Sequence, residues 1–217
     1  MSTINLMVEK ILSELGRRSG VYLVGIGGVP GSGKSTLARA LASEIPGAVV
    51  VPMDGYHLPR AKLDAEGLRR RGAPWTFDRE LFRADMEGLR RNRRGIFPEF
   101  DHGKKDPEVG VIEVFRETPM VLVEGLYVLM GDWGVEAMFD WRIFVDCESE
   151  EAVRRLTRRH MESGLGSSLE VAGERARGSD WQNAEIILED GCRERADMVL
   201  RSGEEGGESG DSGEETI

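Results

Sequence analysis

The nine residues GVPGSGKST, Gly28 to Thr36, restrict this chain more than any other stretch. They satisfy G-x-x-x-x-G-K-[ST] with Gly28, Gly33, Lys34 and Ser35. They also stand between VYLVGIGG, which reads as a buried strand over Val21 to Gly28, and KSTLARALASEI, which reads as a helix stopped by Pro46. A strand before and a helix after are the context this pattern needs in order to bind phosphate. The loop Gly28, Val29, Pro30, Gly31, Ser32, Gly33 lets backbone N–H groups turn inward, and the helix that follows presents its positive end. Lys34 would set its charge on the β- and γ-phosphates of ATP, the Ser35 hydroxyl would ligate Mg²⁺, and Thr36 closes the motif. The motif predicts nucleotide binding but leaves open what becomes of the phosphate.

The rest of the chain alternates in the same way. AVVVPM reads as a second strand, ELFRADMEGLRR (Glu80 to Arg91) as a helix, and VGVIEVF as a strand ending at Phe115. PMVLVEG and DWRIFVD are further buried strands, SEEAVRRLTRRHME (Ser149 to Glu162) is a helix, NAEIILED another, and ADMVLR a last strand. Strands separated by helices predict an α/β fold, a parallel sheet with helices on both faces, which with this loop is a P-loop NTPase fold carrying a small lid. Ile4, Met7, Val8, Ile11, Leu12 and Leu15 fall at helical spacing behind Ser2 or Thr3 as cap. We expect one domain over residues 1–201, with an amphipathic helix over 1–19 and the lid over about 154–178. A membrane-surface helix is the rival for 1–19, although its polar face is not basic.

Charge adds little beyond this. The formal net charge is -10, but residues 202–217 hold six acids and no base, which predicts a disordered acidic tail and leaves an ordinary body. A duplex nucleic-acid binder is not indicated. No apolar run is long enough to span a membrane. Cys147 and Cys192 are the only cysteines and no signal peptide precedes them, so the expectation is a reduced cytoplasmic setting without disulfides.

In an open parallel sheet, ligands bind outside the carboxyl ends of the strands. Three such ends carry chemistry here: the phosphate loop, Asp54 after VVVPM, and Glu124 after VLV. Asp54 would accept the proton of an acceptor hydroxyl, and Glu124 would stand behind Mg²⁺ or its waters. A turn cap for Asp54 and a helix-start carboxylate for Glu124 are the structural alternatives. Arg154, Arg155, Arg158 and Arg159 crowd one helix, either as a solvated face or as cations closing over the nucleotide. Between the second strand and the next helix, Tyr56, His57, Arg60, Arg71, Trp75, Phe77 and Asp78 occupy a usual place for acceptor recognition, where basic residues would hold a carboxylate or phosphate. Trp75 and Phe77 read first as packing residues. His102 beside Asp101 is the best functional histidine.

In their order, GVPGSGKST, MDGYHLP, RRRGAPWTFD, FPEFDHGKKDP, VEGLYVL and RERAD resemble the phosphoribulokinase, uridine kinase and type I pantothenate kinase group of P-loop kinases. The chain is most similar to small pantothenate-kinase-like proteins and to those assigned to fructose transport systems, over about Val21 to Arg201. The resemblance implies Asp54 as base, His102 and Asn183 as acceptor contacts, Glu124 as the acid after the Walker B-like strand, and Arg155, Arg158 or Arg159 as lid arginines. The chain is shorter than type I pantothenate kinases, and nucleoside kinases of the group differ after the acid, where this chain has GYHLPR. Pantothenate, a nucleoside, a sugar or another small alcohol therefore stay open as acceptor, as does a homodimer. Two other classes compete with a kinase of small hydroxyl compounds. One is a nucleotide-binding regulator that hydrolyses ATP slowly; the other is a nucleic-acid-related ATPase resting on Arg69 to Arg71 and Arg90 to Arg94.

Overall fold

The structure, a computed structural model, describes residues 3–17 and 20–202. The expected tail beyond Ser202 and the alternative cap Ser2 lie outside the described residues. Seven strands run in chain order as β1 (Tyr22–Gly28), β2 (Val49–Pro52), β3 (Gly95–Asp101), β4 (Asp106–Val114), β5 (Met120–Glu124), β6 (Trp141–Asp146) and β7 (Met198–Arg201). The helices are α1 (Thr3–Leu15), α2 (Lys34–Glu44), α3 (Ala65–Arg69), α4 (Arg79–Asn92), α5 (Ser149–Glu162), α6 (Leu169–Arg175) and α7 (Trp181–Glu189).

Five strands form one parallel sheet in the order β2-β5-β1-β6-β7. Every residue of β1 and β5 is buried, as expected of strands covered on both faces. Successive side chains point to opposite faces, so each apolar run supplies two cores. Val24, Ile26, Met120, Leu122 and Ile143 pack with Met7 and Ile11 of α1 and Leu37 and Leu41 of α2. Leu23, Val121, Val123 and Phe144 pack with Phe82 and Met86 of α4 and Ala184 and Ile187 of α7. Met7 and Ile11 are thus covered by protein, and α1 is a packing helix rather than a membrane-surface one. No helix among the described residues is long and apolar enough to cross a membrane. Both cysteines are free.

One expected strand lies elsewhere. The strand expected to end at Phe115 does not join the parallel sheet. It begins earlier, at Asp106, and pairs antiparallel with β3 as a separate two-stranded ribbon. Its middle is exposed, with Val109 and Val111 outward, because only one end rests on the body. The ribbon register shifts between Phe97 and Glu99, around Pro98, which cannot donate a ladder hydrogen bond. Beyond α5, the segment expected to form the lid holds α6 and a single π-type turn over residues 176–180. Ala172 and Ala176 are buried there, and α6 packs along α5.

Gly55 explains how the ribbon sits so close to the sheet. A Cβ at that position would lie 2.3 Å from the Pro98 carbonyl oxygen, so only glycine lets the turn after β2 pass beneath β3.

Candidate active site

β2, β5 and β1 are adjacent, and their register fixes the site. Ile26 of β1 and Pro52 of β2 both lie across from Glu124 of β5. The phosphate loop, Glu124 and Asp54, two residues past Pro52, therefore reach the same rim. A cavity of about 2040 Å³ opens there, lined by Gly31 to Leu37, Asp54, His102, Glu124 and the arginines of α5. A smaller cavity of about 350 Å³ lies at the opposite end of β1, beside the Arg90–Asp140 pair, and holds none of these groups.

The loop is tightly built. Lys34 is 7% exposed and donates from Nζ to the Val29 carbonyl at 2.8 Å. Burial pulls its pKa down to about 8; Glu124 and Asp54 resist this and Arg159 adds to it. The Ser32 hydroxyl is buried without a hydrogen-bond partner, an unmet polar group inside the cradle. Gly31 has φ +80, and a Cβ on it would meet the Ala152 carbonyl oxygen of α5 at 2.7 Å. Helix α5 thus sits directly on the loop, which brings its arginines over it.

Asp54 and Glu124 differ in setting. Asp54 is exposed to the cavity, and its carboxylate makes no hydrogen bond or ion pair among the described residues. The short 3₁₀ turn Met53–Tyr56 has no side-chain cap, so Asp54 is not held there as a turn cap. Glu124 is 8% exposed, and no helix begins behind it. Burial raises its pKa, the Asp54 charge adds to this, and Lys34, the Ser35 hydroxyl and Arg39 hold it down. Arg39 was not anticipated, although it follows Ser35 by four residues and so shares its helical face.

On α5, Arg155 is bound to Glu151 at 2.6 Å and to the Ser202 hydroxyl at 2.6 Å, and Arg154 pairs with the same Glu151. Arg158 and Arg159 line the cavity without an ion pair among the described residues. The β3–β4 ribbon brings His102, Phe100 and Glu99 to the cavity wall, while Asp101 caps the ribbon turn through the Gly103 and Lys104 N–H groups.

Several expected acceptor contacts have their polar atoms engaged within the protein. Tyr56 is buried, its hydroxyl donates to Asp85 at 3.0 Å, and burial with that carboxylate pushes the phenol far above its usual range. Asp78 caps α4 by accepting from the Leu81 N–H at 3.0 Å. Arg71 is committed to Asp106 at 2.8 Å and to the Leu58 and Lys105 carbonyls. His57 joins its Nδ1 to the Asp54 carbonyl at 2.9 Å and stacks on Phe77, and burial lowers its pKa against the pull of Asp54. Asn183 is buried on α7 and accepts from Arg70. None of these five lines the large cavity.

The donor set fits Mg²⁺ with a nucleotide. The unpartnered Ser32 hydroxyl, the positive loop and the cations of α5 suit phosphate oxygens, and Ser35 with Glu124 offers hard oxygen donors. No cluster of three acidic, His or Cys ligands exists among the described residues. Mg²⁺ is commonly held in this sparse way, by one or two protein ligands, waters and substrate phosphates.

Comparison with known proteins agrees with this geometry. A family model described as an AAA domain matches residues 24–182. A Schizosaccharomyces pombe protein named as a candidate uridine kinase is 34% identical over 183 residues, 76% of this chain and 77% of that protein. A Leifsonia xyli pantothenate kinase is 31% identical over 143 residues, 60% of this chain and 44% of that protein. The crystal structure of a Silicibacter sp. TM1040 protein, titled a candidate fructose transport system kinase, is 35% identical with a TM-score of 0.76, covering 92% of this chain and 100% of that one.

Proposed function

We propose, from the premise that this chain belongs to the P-loop NTPases matched by the AAA-domain model and within them to the phosphoribulokinase, uridine kinase and pantothenate kinase group of P-loop kinases, that it transfers the γ-phosphoryl group of Mg·ATP to a hydroxyl of a small molecule. The observation that carries this reading is Asp54: an exposed carboxylate without a partner, one strand away from Glu124 and across the cavity from the phosphate loop. A regulator that only cycles nucleotide has no use for such a group. A kinase needs it to take the proton as the acceptor oxygen attacks.

In this reading the acceptor oxygen bonds to the γ-phosphorus while the bond to the β–γ bridging oxygen breaks. ADP carries away that electron pair, and the hydroxyl proton passes to Asp54. Lys34, released from the Val29 carbonyl, pairs with the β- and γ-phosphates. Arg158 and Arg159 face the same space and neutralise charge that spreads over the transferred group. Glu124 and Ser35 would hold Mg²⁺ or its waters, and the metal would supply neutralisation of phosphate charge. The relatives' names point to different acceptors, so the acceptor must be read from this chain's own residues.

The test is Asp54→Asn under Mg·ATP with a panel of hydroxyl compounds. Turnover is expected to fall by roughly 10²- to 10⁴-fold while nucleotide still binds. Full acceptor-dependent turnover in that variant would remove Asp54 as the base. An acceptor-independent hydrolysis untouched by the substitution would favour the regulator.

A further inference from the structure

Of the three consecutive arginines Arg69, Arg70 and Arg71, two are spoken for. Arg69 grips Glu66 at 2.8 and 2.6 Å, and Arg71 pairs with Asp106. Arg70 is the buried one, at 7% exposure, and it has no carboxylate partner among the described residues. Its single side-chain hydrogen bond runs from NH2 to Asn183 Oδ1 at 3.2 Å, and its Nε is buried with no acceptor at all. A guanidinium offers five donors in a planar fork suited to carboxylate or phosphate oxygens. Burying that charge with Nε unmet and no carboxylate beside it among the described residues is costly unless an anion arrives from outside the chain.

Arg70 lies on the segment between β2 and α4 and, like Asn183, outside the lining of the large cavity. The loop bearing Arg70 is zipped at its base: Leu58 N–H donates to the Thr76 carbonyl at 2.8 Å, and Asp78 N–H to that of Tyr56 at 2.7 Å. Arg70 is therefore fixed to the segment that carries Asp54. Asn183 ties it to α7, and Tyr127, whose hydroxyl donates to the Gly72 carbonyl at 2.6 Å, closes the third side. Burial raises the Tyr127 phenol well above its usual range, and the Arg70 charge works against this. The ring of Trp75 covers the guanidinium at 5.6 Å.

We infer that Arg70 is an anion-binding residue of the acceptor subsite, and that the acceptor carries a carboxylate or a phosphate monoester besides the hydroxyl that is phosphorylated. This rests on the kinase reading above and deepens it. Arg70 takes the role that the sequence assigned to Arg71, and Asn183 holds the guanidinium ready.

The experiment compares wild type, Arg70→Met, Arg70→Lys and Asp54→Asn with three sets of compounds: hydroxycarboxylic acids, sugar monophosphates, and the neutral hydroxyl compounds uridine and fructose. ADP release under Mg·ATP and thermal shift under Mg·ADP are both read. One anionic set is expected to support turnover and raise the melting temperature of wild type. In Arg70→Met the KM for that set rises roughly 10- to 100-fold, the loss expected for hydrogen bonds to a charged group, with part regained in Arg70→Lys. The ligand-free melting temperature of Arg70→Met is expected not to fall, since the variant removes an unpaired buried charge. A neutral compound as the best acceptor, an anionic acceptor with the same KM in Arg70→Met, or a lower melting temperature with unchanged KM would each overturn the proposal. An anion that shifts wild type and Asp54→Asn but not Arg70→Met, without any turnover, would keep the anion site and sink the kinase reading. No shift and no turnover with any anion would sink both.

Discussion

Lys34 should take up a proton when nucleotide binds, and the amount can be worked out. Its folded pKa is about 8 against 10.5 in the unfolded chain, lowered first by burial. Between those values the unfolded state binds more protons, so stability rises with pH across that window. Below about 8 both states are charged, and the fold carries the whole cost, on the order of 3 kcal/mol. The β-phosphate of a bound nucleotide supplies the counter-charge that the Val29 carbonyl cannot, and returns the ammonium to its charged form. At pH 8.5 the free protein leaves Lys34 about three-quarters deprotonated, so binding takes up about 0.75 of a proton; at pH 7 the uptake shrinks to about 0.1. The assay is calorimetric titration with Mg·ADP in two buffers of different ionisation enthalpy at each pH. Glu124, shifted upward, could only release a proton and has the opposite sign. Lys34→Arg, charged throughout, should abolish the uptake. Equal uptake at both pH values, net release at pH 8.5, or uptake that survives in Lys34→Arg would refute the reasoning.

Other outcomes follow from the same geometry. Gly31→Ala drives a Cβ against the Ala152 carbonyl at a φ of +80, so α5 must lift; nucleotide affinity and melting temperature should both drop, with roughly 1–3 kcal/mol lost in denaturant unfolding. Glu124→Gln should raise the Mg²⁺ concentration needed for half-maximal turnover, and in wild type that concentration should climb as pH falls through the raised carboxyl pKa, a trend that a Mg²⁺ titration series would find missing in the variant. Tyr56→Phe takes the hydroxyl away from the half-buried Asp85 carboxylate; chemical denaturation should show a loss of about 1.5–3 kcal/mol, with the KM for acceptor unmoved.

The strand ends that form the candidate rim were legible in the sequence because their signals are local. A Val-rich run ending in Asp54, another ending in Glu124, and a glycine loop after β1 each mark a strand end, and parallel pairing does the rest. The same local logic placed α5 at Ser149–Glu162. It failed where partners are distant. Nothing in RRR at residues 69–71 ranks the three arginines; Asp106, far along the chain, claims Arg71, while Arg70 has no carboxylate among the described residues. Tyr56 and Asp78 looked like site residues because they flank Asp54 and the next helix, but Asp85 and the α4 N-terminus take their polar atoms. The β3–β4 ribbon was hidden by Pro98, and α6 by the glycines and polar residues around it; both exist only against the body they rest on.

The sheet order also dictates when the site can come into being. β1 and β2 carry the phosphate loop and lead to Asp54, yet they are never neighbours; β5 intercalates between them, some seventy residues later in the chain. A nascent polypeptide released only as far as α4 holds the whole nucleotide motif and Asp54, but no framework that aligns them. Assembly of the rim therefore coincides with the long-range step that completes the sheet. An incomplete chain is spared the futile turnover of ATP, and protection by nucleotide during refolding should report the insertion of β5.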